Sequence, residues 1–149
     1  MKAVFAVAAV IIKGTKVLAM RRSLDRDAGA GLWETVSGRV EPEEQPLDAI
    51  VREITEETGL QVRVDKRPID AYAARRAGAP MVVIVYRAEH VAGEVVRSAE
   101  HDEHMWCTPA EFRDRSTLTR LARAIDDAFA VTTGAASRGD RAGGRDVEG

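Results

Sequence analysis

Residues 38–60 read GRVEPEEQPLDAIVREITEETGL, and this stretch holds the clearest structural pattern in the chain. Between residues 46 and 58 the apolar side chains recur at helical spacing, and Pro46 stands in the first turn, where its missing N–H is tolerated. Gly59 follows at the position where a left-handed C-terminal cap belongs. The pattern predicts a helix over residues 46–58.

Carboxylates crowd one turn of this predicted helix. Residues three and four apart are neighbours on a helix face, so Glu53, Glu56 and Glu57 converge, and Glu44 lies close to the helix N-terminus. Like charges so placed repel by roughly 0.2–0.5 kcal/mol per pair at a wet surface. Arg52 is the only cation of the helix. A solvated acidic face would explain such a cluster standing alone. A bound divalent cation explains the charge excess better, because Mg²⁺ prefers carboxylate oxygens.

The full spacing of the segment separates these two interpretations. It matches G-x5-E-x7-R-E-U-x-E-E-x-G-U, where U is a bulky aliphatic residue, at every fixed position. A chance match in a chain of this length is on the order of one in a million. The signature resembles the Nudix box of the Nudix hydrolases, the MutT-type pyrophosphohydrolases. Residues 21–23, residues 31–34 and the Glu-Phe pair at residues 111–112 are also similar to segments of that family.

The resemblance implies a fold and an activity. The fold is of the α/β class, a mixed β-sheet sandwiched between helices, called the Nudix α/β/α sandwich. The activity is hydrolysis of a nucleoside diphosphate linked to another moiety, with Mg²⁺ or Mn²⁺ as cofactor and water as nucleophile. Metal ions neutralise phosphate charge and lower the pKa of a bound water, so that a carboxylate need only accept its proton.

The resemblance also assigns roles within the box. Glu53, Glu56 and Glu57 are implied metal ligands, with Glu57 the strongest candidate. Glu44 is implied to be a weaker ligand that acts through water. Arg52 is implied to orient a catalytic glutamate by a salt bridge and not to touch the substrate.

Two places can supply the general base. One is the box itself, where Glu53 and Glu56 are candidates. The other is the acidic cluster at residues 100–104, in which Glu103 is the predicted additional ligand or base. A solvated loop explains that cluster equally well. Its two histidines are not expected to bind zinc, because no other residues with zinc-ligand spacing accompany them.

Two arginines are predicted to contact the substrate. Arg22 matches a family position near the substrate and could hold a phosphate or a base edge, although a plain surface arginine fits the sequence almost as well. Arg39 stands where the family commonly has the last glycine of Pro-Gly-Gly, and its side chain could reach a phosphate.

Glycine positions around the box follow the family only in part. Gly38 and Gly59 are expected to permit the backbone turns at either end of the box. Glu43 stands where a glycine is usual, directly before Glu44. Neither departure removes an implied metal ligand.

The substrate class follows by elimination. Sequence markers that accompany hydrolysis of ADP-ribose, diadenosine polyphosphates, NADH or coenzyme A in this family are not found at the expected positions. A nucleoside di- or triphosphate, cleaved to a nucleoside monophosphate, is therefore the leading prediction. The alternatives are a nucleotide-sugar or ADP-ribose pyrophosphatase, and a nucleotide-binding sensor without catalysis. An isomerase on the same scaffold ranks low, because Cys107 lies too late in the chain to serve as its active-site cysteine.

The rest of the chain predicts one domain over residues 1–131 and a disordered tail over residues 132–149. The tail has no apolar cluster and five glycines. The predicted strands and the last helix are as follows: strands at residues 2–12 (buried on both faces), 16–22, 32–36, 62–73 (interrupted near Pro68), 81–88 and 105–107, and a helix at residues 118–131.

Composition excludes several classes of protein. The chain has 149 residues with 22 basic and 24 acidic side chains, and its formal net charge of -2 argues against nucleic-acid or anionic-membrane binding. A single cysteine, Cys107, excludes an intrachain disulfide and is expected to be a small buried hydrophobe. The apolar run at residues 3–12 is too short to span a bilayer and fits a hairpin strand better than a signal peptide. A cytoplasmic enzyme with a small nucleotide as its partner is expected, and the resemblance allows a homodimer.

Overall fold

The computed structural model describes residues 2–25 and 29–141, the last ten of them as backbone only. The described residues form eight strands and three helices. In chain order these are β1 (Val4–Lys13), β2 (Lys16–Arg22), β3 (Trp33–Glu34), β4 (Val36–Arg39), α1 (Pro46–Thr58), β5 (Gln61–Val64), β6 (Asp70–Arg76), β7 (Ala79–Ala92), β8 (His101–Cys107), α2 (Pro109–Arg115) and α3 (Thr119–Arg141).

All eight strands join one mixed sheet. β1 runs parallel to β7 along one edge, and along its other edge it pairs antiparallel with β2 and β4. β5 and β6 both pair with β7, and the break between them falls near Pro68, as predicted. β3 and β8 pair with β2.

Helices cover both faces of the sheet. Side chains alternate between the two faces along β1. Its odd-numbered residues 7–11 lie in one core with Ile50 and Ile54 of α1, and its even-numbered residues 6–12 lie in a second core with Phe112 of α2 and Ile125 of α3. This confirms the predicted sandwich, and it explains why β1 is apolar at nearly every position. Cys107 is fully buried in the second core, as expected.

The ends of α1 are confirmed at the predicted residues. Pro46 occupies the first turn, and Gly59 adopts a left-handed conformation with φ of 67°. The Gly59 N–H donates to the carbonyl of Thr55 and closes the last turn. The helix therefore stops where only glycine is free of a steric penalty.

Glu43 in the loop before α1 also has a left-handed backbone, with φ of 67°. This conformation costs a side-chain-bearing residue free energy that glycine does not pay. We expect Glu43→Gly to raise the free energy of unfolding by about 1 kcal/mol, measured by urea denaturation without metal. Glu41→Gly is the matched control, because it removes a carboxylate from the same loop without relieving a positive φ. A Glu43→Gly protein no more stable than wild type would contradict the expected strain.

Helix α2 was not among the predicted elements. Thr108 caps it through a capping box, in which the Glu111 N–H donates to the Thr108 hydroxyl (3.2 Å) and the Thr108 N–H donates to the Glu111 carboxylate (2.9 Å). Threonine followed three residues later by glutamate, with Pro109 between them, is a recognisable helix-start signal. The sequence therefore contained the information that would have predicted α2.

Helix α3 runs to Arg141, past the predicted end at residue 131. The first turns of α3 pack against the sheet. Because no proline interrupts residues 119–141, the helix can continue to residue 141. The domain limit at residue 131 and the disordered tail over residues 132–149 stay predictions, and residues 142–149 lie outside the described residues. In the described ranges no helix combines the length and the apolar character needed to cross a bilayer.

Candidate active site

Arg52 of α1 ties the helix to the loop that precedes it. Its Nε and Nη2 atoms donate to the two carboxylate oxygens of Glu44, each at 2.9 Å. Its Nη1 donates to Glu53 at 2.8 Å, and Nη2 also donates to the carbonyl of Arg39 at 3.1 Å. Such a bidentate pair fixes both distance and direction. Arg52 therefore holds the loop, the helix and the Glu53 carboxylate in one arrangement.

Glu44 is engaged through both of its oxygens. Besides the two bonds from Arg52, its Oε1 accepts a bond from the Glu41 N–H at 3.0 Å. Hydrogen bonding from Arg52 lowers the pKa of Glu44 to about 2, so the group is ionised at neutral pH. This arrangement favours a positioning role over the weak metal-ligand role implied by the resemblance, which stays a prediction.

Gly38 lies directly against the Glu53 carboxylate. A Cβ atom at Gly38 would come within 2.2 Å of both Cδ and Oε1 of Glu53. Gly38 itself is in β4, paired with Val7 of β1, so the expected turn at this residue is wrong. Glycine is needed at position 38 because the Glu53 side chain approaches the backbone closely. Gly59, at the other end of the box, does form a turn.

Glu57 is buried and without a balancing group. Its side chain is 2 % exposed, and neither of its carboxylate oxygens has a hydrogen-bond partner among the described residues. Burial raises the pKa of Glu57, and the nearby carboxylates of Glu53, Glu100 and Glu34 raise it further. By contrast, the Glu56 side chain is 58 % exposed and lies 3.4 Å from Arg52. An ionised carboxylate in the position of Glu57 requires a cation to offset the cost of desolvation.

Glu57 lies near His101, the first residue of β8, and near Glu100, which precedes that strand. Glu57, Glu100 and His101 each place one potential ligand atom within 4.8 Å of those of the other two. The Nδ1 atom of His101 lies 3.6 Å from Oε1 of Glu57, and its Nε2 atom lies 2.9 Å from Oε2 of Glu34. Carboxylate oxygens with one imidazole nitrogen form a donor set that suits a divalent cation. The Glu57 oxygens and His101 Nδ1 are buried without a hydrogen-bond partner among the described residues, and they therefore fit the metal that the sequence implies.

Glu103, the predicted base in the acidic cluster, faces away from this group. Its side chain is 53 % exposed and lies 3.1 Å from Arg21 of β2. The carboxylate of that cluster that does join Glu57 is Glu100, next to His101. A register shift between Arg21 and Arg22, in the pairing of β2 with β8, determines which residues of the cluster face inward. A shift of this kind has no signal in the sequence.

The comparison of this chain with known families decides its membership. Residues 2–129 match the model of the NUDIX domain. The chain belongs to the Nudix hydrolases.

Individual relatives agree with this membership. A protein of Escherichia coli named CTP pyrophosphohydrolase is 34% identical over 113 residues, which are 74% of this chain and 80% of that protein. A MutT-like protein of Streptomyces ambofaciens is 32% identical over 121 residues, covering 80% and 73% of the two chains. The fold of an Ap4A hydrolase from C. elegans superposes with a TM-score of 0.78 at 21% identity, over 89% of this chain and 99% of that one.

As a Nudix hydrolase, the protein is an enzyme that hydrolyses pyrophosphate bonds in small nucleotide-like substrates. Its Nudix box forms the loop before α1, the helix itself and the Gly59 cap. Enzymes of this family generally use divalent metals, and the group of Glu57, Glu100 and His101 could hold one.

A cavity of about 440 Å³ opens beside the Nudix box. It is lined by parts of β1, β4, β6, β7 and the first turn of α3, and Gly38 and Glu34 connect its wall with the carboxylate site. The Arg120 guanidinium lies 4.9 Å above the Tyr72 ring in this wall. Apolar strand residues and a few charged side chains thus line a concave space of nucleoside size.

The two arginines predicted to bind substrate have different surroundings. Arg22 is 6 % exposed and donates to Oε2 of Glu34 at 3.3 Å, so it is not a plain surface residue. Arg39 is exposed and lines the cavity, while its carbonyl accepts from Arg52. Sequence reasoning missed Glu34, which the structure places between Arg22, Arg76 (3.7 Å) and His101.

Proposed function

We propose that this Nudix hydrolase cleaves a nucleoside di- or triphosphate to a nucleoside monophosphate, in a reaction that depends on Mg²⁺ or Mn²⁺. The observation that supports this most strongly is the Glu57 carboxylate, which is buried and unpaired beside Glu100 and next to a cavity of nucleoside size. The carboxylates of a solvated acidic patch stay exposed, so such a patch does not explain the burial of Glu57.

The carboxylates of the site divide into ligands and supports. Glu57 and Glu53 would hold the metal, with Glu56 at the exposed side and Glu100 from the start of β8. A divalent cation bound there supplies charge neutralisation of the phosphates and a more acidic water. Arg52 keeps the Glu53 carboxylate in place through its 2.8 Å bond.

The general base is one of the carboxylates near the buried site. Glu53 is 12 % exposed and restrained by Arg52, and Glu100 is only partly exposed at the end of the loop before β8. Glu103 is paired with Arg21 at the surface and is a weaker candidate than the sequence suggested. Accepting a proton requires a carboxylate within hydrogen-bond reach of the water that attacks phosphorus, which favours the two inner residues beside the proposed metal site.

The cavity would hold the nucleoside. Tyr72 offers a ring face, and Glu34 and Arg76 offer an acceptor and donors for a base edge. The phosphates then extend past Gly38 toward the carboxylates of α1. The relative named CTP pyrophosphohydrolase supports a nucleoside triphosphate over a nucleotide sugar.

A screen of nucleotides in ¹⁸O-water tests this proposal. Nucleoside triphosphates, diphosphates, oxidised dGTP, ADP-ribose and nucleotide sugars are incubated with Mg²⁺ or Mn²⁺, and the products are read by mass spectrometry. We expect a nucleoside monophosphate with pyrophosphate or phosphate, one product carrying a single ¹⁸O. Preferred release of ribose 5-phosphate from ADP-ribose would favour the pyrophosphatase alternative. Tight nucleotide binding with no turnover would favour a sensor.

The cytoplasmic location expected from the N-terminal sequence and the homodimer allowed by the resemblance also stay predictions. Light scattering after size-exclusion chromatography measures the oligomeric state directly.

A further inference from the structure

We propose that His101 is a nitrogen ligand of the metal held by Glu57, and that Glu34 fixes its ring in the tautomer that can bind. The proposal rests on the metal dependence proposed above and adds to it a ligand outside the Nudix box. It changes the expected chemistry of the site from all-oxygen to mixed oxygen and nitrogen.

The hydrogen bond on the far side of the ring sets the tautomer. The His101 side chain is 1 % exposed, and its Nε2 lies 2.9 Å from Oε2 of Glu34. Arg22 and Arg76 lie 3.3 Å and 3.7 Å from the same carboxylate, which therefore acts as an acceptor. Because a carboxylate can only accept, Nε2 carries the proton. The lone pair of the neutral ring is then on Nδ1.

Nδ1 faces the buried carboxylate without bonding to it. It has no hydrogen-bond partner in the described part of the chain, and it lies 3.6 Å from Oε1 of Glu57, which is beyond hydrogen-bond distance. When Glu57 is ionised, as a metal ligand must be, its oxygen and Nδ1 are two acceptors buried face to face, which is unfavourable. A divalent cation bound by both removes the conflict, because two ligand atoms of one ion lie about 3–3.5 Å apart when each bond is about 2.1 Å.

The Glu34 carboxylate, the His101 imidazole and the proposed metal site then form an arrangement that is frequent in metalloproteins. Metal-binding histidines usually donate their other N–H to a carboxylate, which orients the ring and increases its basicity. Glu34 has that position here. The competing interpretation is an imidazolium that bridges Glu34 and Glu57 with no role in metal binding. That interpretation requires a hydrogen bond from Nδ1 to Glu57, and the 3.6 Å separation does not provide one.

Pulsed EPR of the Mn²⁺-loaded protein tests the proposal without measuring activity. The tag-free chain has three histidines, so ¹⁵N-histidine labelling reports on His90, His101 and His104 alone. We expect hyperfine coupling from one imidazole nitrogen, absent in His101→Gln and unchanged in His104→Gln. His104 is the matched control, because its Nδ1 lies 2.7 Å from Arg97 and it belongs to the same strand.

Metal affinities give a second readout. Imidazole nitrogen favours Co²⁺ over Mg²⁺, so His101→Gln should weaken Co²⁺ binding about tenfold or more and Mg²⁺ binding by less than about threefold. Calorimetric titration of both metals measures this ratio. Equal losses for the two metals would contradict a nitrogen ligand.

The outcomes separate this proposal from the one on which it rests. Mn²⁺ binding that requires Glu57 but shows no ¹⁵N coupling would overturn the His101 assignment and leave the proposed function standing. No Mn²⁺ binding at all would overturn both. If His101→Gln does not fold, the labelled wild-type protein still decides, because the coupling is present or absent without any variant.

Discussion

Replacing Glu57 by glutamine should abolish divalent-metal binding and lower kcat about 1,000-fold, equivalent to about 4 kcal/mol of transition-state stabilisation. Glutamine has the shape of glutamate but no charge, so the core around α1 is preserved while the proposed metal ligand is lost. The measurements are steady-state release of nucleoside monophosphate and calorimetric titration with Mg²⁺ or Mn²⁺. Turnover within tenfold of wild type would contradict the role proposed for Glu57.

The same substitution should change how the metal-free protein responds to pH. Burial raises the pKa of Glu57 in the folded chain above the ordinary value of 4.5 that it has when unfolded. The folded state therefore binds the proton more tightly, and wild-type stability should decline as the pH rises above about 4.5. Glu57→Gln should lack this part of the decline and be at least as stable as wild type at neutral pH. Urea denaturation in EDTA at pH 5 and pH 8 measures the difference.

Glu56→Gln is the matched control for the stability measurement. It makes the same chemical change one residue earlier on the helix, at a side chain that is 58 % exposed. Water already solvates that carboxylate, so the pH profile of unfolding should follow wild type. A Glu57→Gln profile that also follows wild type would show that the charge of Glu57 is not penalised by burial.

Substituting Gly38 by alanine should lower kcat about 100-fold with only a small change in stability. The new Cβ would lie 2.2 Å from Cδ and Oε1 of Glu53, so this carboxylate must rotate away from the site. The clash is with the end of a flexible side chain and not with backbone, and the fold can absorb it. Kinetics, metal titration and thermal unfolding of Gly38→Ala measure the three effects.

A double-mutant cycle identifies the cause of that loss. In a Glu53→Ala background the added methyl group has no carboxylate to displace, so Gly38→Ala should change kcat by less than about twofold. Losses that multiply in the double variant would mean that Gly38 acts on something other than Glu53.

The Nudix box shows which structural features can be predicted from residues that are neighbours in the sequence. Helix α1 has a proline in its first turn, apolar residues at helical spacing and a glycine cap, and each of these features acts within a few residues along the chain. The convergence of Glu53 and Glu57 follows from the helical repeat alone. The apolar run of β1 likewise predicted burial on both faces, since no alternation was present.

Contacts between segments that are distant in the chain are harder to predict from the sequence. The sequence indicates the acidic cluster at residues 100–104 and predicts Glu103 as its functional carboxylate, whereas Glu100 is the carboxylate that joins Glu57. The sequence predicts a turn at Gly38. The contact of Gly38 with Glu53 could not be predicted from neighbouring residues, because it joins a strand to a helix that follows later in the chain. Glu34 belongs to the family-like segment at residues 31–34, but the sequence assigns it no role.

The amino-acid sequence alone predicts the family, the helix that carries the carboxylates and the excess of negative charge on it. The packing of distant segments is needed to show that Glu57 is the carboxylate buried without a hydrogen-bond partner among the described residues, and that His101 lies between Glu57 and Glu34. The physical reason is that helix caps and periodicity depend on neighbours in the chain. The inward residues of β8 depend instead on its register against β2, which an irregularity beside Arg22 shifts.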